Sequence, residues 1–301
     1  MDDYRKYLDP QTLAKVQNLD LAARQIVEGY VSGSHKSPFH GFSAEFAQHR
    51  EYATGDDLRY VDWKVFAKSD RYYLKQYEAE TNFTCYILLD CSESMRYRSE
   101  NAALSKWEYA RLVAAALSYV VIKQQDAAGL CTMNDRVLEF LRPSSQPNHL
   151  KQIYHTMEHT EPAGESGLGN VFHELAERIT RRSLIIVISD LFDDIDKVML
   201  GLKHFRHRKH DVSLLQVIDP AEQDFPFQEP VLFRGLENLP EQMAEPRSLK
   251  KAYQAEFEKF LSSVQRGCRD LKMDYALIRT DQQLDVALSA FLSNRRSRVG
   301  S

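Results

Sequence analysis

Three short, almost wholly apolar runs each end in an aspartate: FTCYILLD (83–90), SLIIVISD (183–190) and VSLLQVID (212–219). A strand with one solvated face alternates polar and apolar residues. An unbroken apolar run of this length suits a strand buried on both faces, the condition of a parallel sheet covered by helices. The intervals agree with this. Ser105 and Glu108 form an S-x-x-E capping box that opens a helix carrying Trp107, Ala110, Ala114, Leu117 and Val121 on one face. AGLCTM (128–133) and VLEFL (137–141) read as strands joined by an Asn134-Asp135 turn, with helices at about 148–158 and 168–181. A helix bearing Val198, Leu202 and Phe205 leads into the third run. Residues 220–246 hold five prolines and form an irregular excursion. A long helix with Leu249, Tyr253, Phe257, Phe260, Val264, Cys268 and Leu271 comes next, and DYALIRT (274–280) is a final strand. Thr280 and Gln283 fit a T-x-x-Q box for a last helix. The expected fold class is therefore α/β, a doubly wound, mainly parallel sheet with right-handed crossovers.

The N-terminal part differs. Leu13, Val16, Ala23, Ile26, Val27 and Tyr30 recur at helical spacing, and that segment stops near Gly29 to Gly33. Residues 32–69 are rich in aromatics and charges without a sustained period, which suggests an ordered, loop-rich segment packed on something larger, and 35–80 is expected to be integral to the sheet domain. Residues 72–80, the Thr81-Asn82 turn and 83–89 read as strand, turn, strand. The expected organisation is an extension over 1–82, a sheet domain over 83–293 and a basic tail over 294–301.

Charge and cysteine content narrow the function classes. With 39 basic and 43 acidic residues the net charge is −4, which excludes affinity for nucleic acid by bulk phosphate neutralisation. No apolar run reaches the roughly 18 residues of a membrane span, and the start MDDYRKYLDPQ is too polar for a secretory signal. Cys85, Cys91, Cys131 and Cys268 lack C-x-x-C spacing and read as reduced, buried thiols of a cytoplasmic protein.

In a doubly wound sheet, sites form at the carboxyl ends of strands. Asp90-Cys91-Ser92-Glu93-Ser94 follows the first run as D-x-S-x-S, and Asp190 closes the second. Glu165-Ser166-Gly167-Leu168-Gly169, between them, adds a third hydroxyl. Two carboxylates and three hydroxyls on adjacent loops are hard oxygen donors of the kind Mg²⁺ prefers. Asp90 and Asp190 without a cation should repel each other, so removing Asp190 should cost the metal-free fold nothing. Asp219 before Pro220 suits a turn, and His204, His207 and His210 suit a solvated helix end. His35, His40 and His49 suit loop packing better than zinc.

Asp90, Ser92 and Ser94, followed by a hydroxyl loop and a strand-terminal Asp, resemble the metal-ion-dependent adhesion site of the von Willebrand factor type A fold over about residues 83–293. Upstream, HGFSAEFAQHREYATGDDLRYVDWKVFAKSD resembles the bacterial family catalogued as domain of unknown function 58, with its G-D-D-x-R-x-[IV]-D-W segment at Gly55, Asp56, Asp57, Arg59, Asp62 and Trp63. The first resemblance implies a weak Mg²⁺ or Mn²⁺ site at Asp90, Ser92, Ser94, Ser166 and Asp190, with serine where type A domains usually have threonine at the third position. The metal's open position would take a partner's carboxylate. The second implies a MoxR-type AAA+ ATPase partner and a chaperone-like role. The expectation is a non-enzymatic, cytoplasmic protein-binding adaptor. Its alternatives are a metal-dependent phosphoryl hydrolase, which lacks an evident general base, and a scaffold with an empty site. The charged signature suits pinning the extension to the sheet domain better than catalysis.

Overall fold

The computed structural model describes residues 18–32, 45–51, 65, 72–78, 84–100, 102–233 and 242–284. Six strands form one sheet: β3 (Thr84–Asp90), β4 (Ala127–Met133), β5 (Val137–Ser144), β6 (Leu184–Ser189), β7 (Asp211–Ile218) and β10 (Asp274–Arg279), in the order β10-β7-β6-β3-β4-β5. All pairings are parallel except β4 with β5, which is antiparallel. β3 and β6 lie side by side at the centre, so the two aspartate-terminated runs end on the same edge, where strand order reverses. The doubly wound α/β expectation holds.

Successive residues of β6 serve opposite faces. Ile185 and Val187 join Leu88, Val212 and Leu214 in a core completed by helices α4 (Leu168–Arg178), α5 (Ile195–His207) and α7 (Pro246–Asp270). Helix α2 (Lys106–Lys123) packs against β3, β4, β6 and β7. Its other sides meet α1 (Leu19–Ser32) and α3 (Pro147–His159). That is why α2 is buried almost all round, from Trp107 to Ile122, rather than along one stripe. Ser105 and Glu108 close the expected capping box. α1 buries Leu19, Ala22, Ala23, Ile26 and Val27, an i, i+3, i+4 pattern, and Asn18 Oδ1 accepts its Leu21 N–H at 3.1 Å. All four cysteines are buried and none is in a disulfide, as expected.

Helices α4 and α5 approach closely through glycine. A Cβ on Gly201 would lie 2.8 Å from Phe172 Cβ and 2.9 Å from the Gly169 carbonyl oxygen. At the far side of the sheet the β4–β5 register is irregular between Ala128 and Leu130. A Cβ on Gly129 would meet Leu141 O at 2.8 Å and Pro143 Cγ at 3.0 Å.

Four expectations change. Residues 73–78 form β2 (Tyr73–Glu78), which pairs antiparallel with β1 (Glu45–Glu51) and not with β3. The reason is that β4 and β6 already occupy both edges of β3. The β1–β2 hairpin lies in a compact unit of its own, Phe39–Phe83. The last helix first appears at Leu284, and the Thr280 hydroxyl is buried without a hydrogen bond, so Thr280 is not its cap. His210 is not solvated. It is fully buried, Ser183 N–H donates to its Nδ1 at 3.2 Å, and its Nε2 faces Ile179 O at 3.1 Å. The last change, to the electrostatics around Asp190, belongs to the site. Two short strands, β8 (Val231–Phe233) and β9 (Gln242–Ala244), pair within the proline-rich excursion. Gly55, Asp56, Asp57, Arg59, Asp62, Trp63, His35 and His40, and the side chain of His49, lie outside the described residues.

Candidate functional site

The polypeptide turns out of β3 through a 3-10 turn at Glu93–Arg96. Asp90 is fully buried; its Oδ1 accepts the Ser92 N–H at 2.9 Å and its Oδ2 accepts the Ser189 hydroxyl at 2.5 Å. The hydroxyls of Ser92 and Ser94 lie 3.1 Å apart, both buried. At the end of β6, Asp190 is fully buried as well, and its Oδ1 accepts the Phe192 N–H at 3.1 Å. The intervening Leu191 holds a left-handed backbone, φ 62°, with its side chain in the core. A buried apolar residue in that conformation is strained, and such strain concentrates at functional sites. Ser189 Oγ accepts the Leu191 N–H at 2.8 Å, and Gln216 donates to the Asp190 carbonyl at 3.0 Å, which fixes the turn.

The third loop is drawn in by backbone. Glu93 N–H donates to Gly164 O at 2.9 Å and Ala163 N–H to Cys91 O at 2.9 Å. Gly164 has φ +79°, and a Cβ there would lie 3.1 Å from Asn134 Nδ2, so the position suits glycine on both counts. Asp193 Oδ2 accepts the Leu168 N–H at 2.7 Å and ties this loop to the one after β6. Ser166 sits half-buried on it. Backbone bonds of Ala163, Gly164 and Leu168 tie the loop that carries Ser166 to the loops after β3 and β6.

A lysine completes the cluster. Lys106, fully buried at the first residue of α2, places Nζ 2.7 Å from Asp190 Oδ2 and 2.6 Å from Glu222 Oε1. Its ammonium also lies 4.4 Å from the centre of the Phe192 ring. Glu222 closes a capping box with Asp219 on the short helix α6 (Pro220–Asp224), so Asp219 is the turn residue expected. Asp219 Oδ2 accepts the Ser99 N–H at 3.0 Å, joining the β7 end to the loop after β3.

The expected metal-free repulsion around Asp190 is therefore replaced by an ion pair. Two carboxylates, Asp190 and Glu222, share the one ammonium of Lys106, and Asp90 lies against Asp190. Burial, and then the neighbouring Asp190, push the Asp90 carboxyl up to about 7, against hydrogen bonds from Ser189 and Ser92. Burial also raises Glu222, opposed by Lys106. Lys106 itself is raised by Asp190 and Glu222, which outweigh its desolvation. Asp90 and Asp190, with the hydroxyls of Ser92 and Ser94 beside them, are hard oxygen donors of a kind that suits a small divalent cation, although among the described residues no three His, Cys, Asp or Glu side chains converge as a metal site.

Lys106, Ser189 and Glu222 are members of this site that sequence reasoning missed. One signal was present: a lysine in the first turn of α2 opposes the helix macrodipole, so some other interaction must favour it. Beside the site, a cleft of about 320 Å³ is lined by Arg96, Arg98, Ser105, Trp107, Glu108 and Pro162.

The family model described as protein of unknown function DUF58 matches residues 48–261. The chain belongs to this family. It is similar, at 24% identity over 296 residues, to the uncharacterized protein Rv1480 of Mycobacterium tuberculosis and the uncharacterized protein Mb1516 of Mycobacterium bovis, each match covering 96% of this chain and 91% of the relative. Among solved structures it is similar to the conserved hypothetical protein BatB of Bacteroides thetaiotaomicron (16% identity, 71% of this chain and 99% of that one, TM-score 0.49). An aerotolerance-related membrane protein of Bacteroides fragilis matches with 15% identity over the same shares, TM-score 0.49. A von Willebrand factor type A protein of Catenulispora acidiphila matches with 11% identity, 74% of this chain and 44% of that one, TM-score 0.39. Among the described residues no helix is long and apolar enough to cross a membrane.

Proposed function

We propose that this DUF58 chain is a Mg²⁺-dependent protein-binding adaptor, without catalysis of its own, that acts in the cytoplasm. The observation that carries the reading is the convergence of Asp90, Ser92, Ser94 and Asp190 at adjacent strand ends, beside the loop of Ser166. These five residues would hold the ion. When bound, it supplies a Lewis-acidic position open to a carboxylate of the partner. The chain's own groups do the rest: Ser189 and the Ser92 N–H orient Asp90, and the Phe192 N–H and Lys106 orient Asp190. Arg96 and Arg98 in the adjoining cleft favour an acidic partner segment around the same carboxylate. The family resemblance points to a MoxR-type AAA+ ATPase as that partner, in a chaperone-like role.

Two measurements test this. Calorimetric titration of the metal-free protein with Mg²⁺ should give one weak site that Asp90→Asn abolishes. Immobilised protein should retain the purified MoxR-type ATPase of the same cell in Mg²⁺ and release it in EDTA, and Arg98→Glu should weaken retention with the ion still bound. Retention unchanged by both chelator and Asp90→Asn would leave the site without a role in binding.

A further inference from the structure

Lys106 is a buried charge that the adaptor reading uses only to orient Asp190. Its side chain is fully enclosed, and it spends its ammonium on two carboxylates, one just after β6 and one on α6, 84 and 116 residues away in sequence. An apolar side chain of similar volume would avoid the desolvation of three charges, so stability alone is a weak reason for a lysine here. Its placement at the first residue of α2 works against the helix dipole as well. What the ammonium does is supply positive charge to Asp190, the same carboxylate that faces Asp90 across the site. Asp190 Oδ2 keeps one lone pair beyond its bond to Lys106, so the carboxylate can serve lysine and a cation together.

Resting on the metal-binding reading above, we propose that the Lys106 ammonium is a tethered stand-in for the divalent cation. It holds Asp190 in place in the metal-free protein, and its charge sets how weakly the site takes up metal. Glu222 is the other half of the device, because it draws the ammonium toward itself and offsets part of its charge. The two residues therefore push metal affinity in opposite directions. Lys106 lowers it by repulsion, and Glu222 raises it. A purely structural ion pair predicts no such opposition.

The experiment compares wild type, Lys106→Met and Glu222→Gln as full chains, with Mg²⁺ affinity from calorimetry and melting temperature in EDTA and in Mg²⁺. Removing a buried unit charge beside a divalent ion is worth on the order of tenfold or more even at an effective dielectric near 20. Lys106→Met should therefore bind Mg²⁺ about tenfold tighter or better, melt lower than wild type in EDTA, and gain more from Mg²⁺. Glu222→Gln should bind Mg²⁺ more weakly than wild type. Wild type that binds Mg²⁺ while Lys106→Met binds no tighter overturns the proposal and leaves the metal site standing. So does Glu222→Gln that binds as well as wild type or better, which decides the matter if Lys106→Met fails to fold. Wild type silent to both Mg²⁺ and Mn²⁺ refutes the metal reading itself, and the lysine's role with it.

Discussion

Replacing Asp190 by asparagine in the metal-free protein should destabilise it, and by more at pH 6 than at pH 8. Both side chains of the Lys106–Asp190 pair are buried, at 2.7 Å. Removing one partner of such a pair costs roughly 3–5 kcal/mol because the other charge is stranded. Here Lys106 keeps Glu222 at 2.6 Å, which argues for the low end or below, about 2–3 kcal/mol. Relief of the Asp90–Asp190 interaction works the other way, but only where Asp90 is ionised. With Asp90 pushed up to about 7, it is mostly protonated at pH 6 and mostly charged at pH 8. Lowering the Asp90 value by one unit would return on the order of 1 kcal/mol at pH 8 and only a few tenths at pH 6. For a chain of this size the pH 6 loss corresponds to a fall in melting temperature of about 3–5 °C. Melting curves in EDTA at the two pH values check both the size and the sign. Asp190→Asn melting level with or above wild type at pH 6 would refute the ion-pair account and restore simple carboxylate repulsion.

Other outcomes follow from the same geometry. Asp90 has a raised folded value, so it retains its proton longer in the folded state than in the unfolded chain. Metal-free stability should therefore fall as pH rises from about 4 to about 7 by up to about 4 kcal/mol, and Asp90→Asn, measured by urea unfolding in EDTA, should lack that slope. Burial holds His210 below its ordinary value of 6.5. It should contribute a loss of stability as pH falls below about 6.5, absent in His210→Gln by the same unfolding series. Gly201→Ala drives a methyl against Phe172 and the Gly169 carbonyl and should cost about 1–3 kcal/mol, read as a lower urea midpoint with unchanged slope.

The parallel sheet was legible because its central strands are buried on both faces, which leaves uninterrupted apolar runs such as SLIIVIS that few other folds require. Asp90 and Asp190 were legible for the same reason: they are the first polar residues after such runs. Lys106 and Glu222 were not, because their meaning depends on two long-range meetings at one point in space, and each also fits a local role in a helix start. The expected hairpin of 72–80 with 83–89 failed on competition. Sequence proximity favours neighbouring strands, but β3 has only two edges and the longer-range parallel partners fill both. His210 was misjudged from its basic surroundings. Its ring is in fact the polar bridge between Ile179 and Ser183, where α4 ends and β6 begins.

The irregular pairing of β5 has a consequence for assembly. β5 is the terminal strand of the sheet, and Pro143 deprives it of one amide donor where the register slips past Gly129. A second polypeptide approaching that border would find a broken ladder, which disfavours lengthening the sheet by strand addition and discourages chains from zipping together side by side. Recognition on this flank is thereby steered from main-chain pairing to side-chain chemistry.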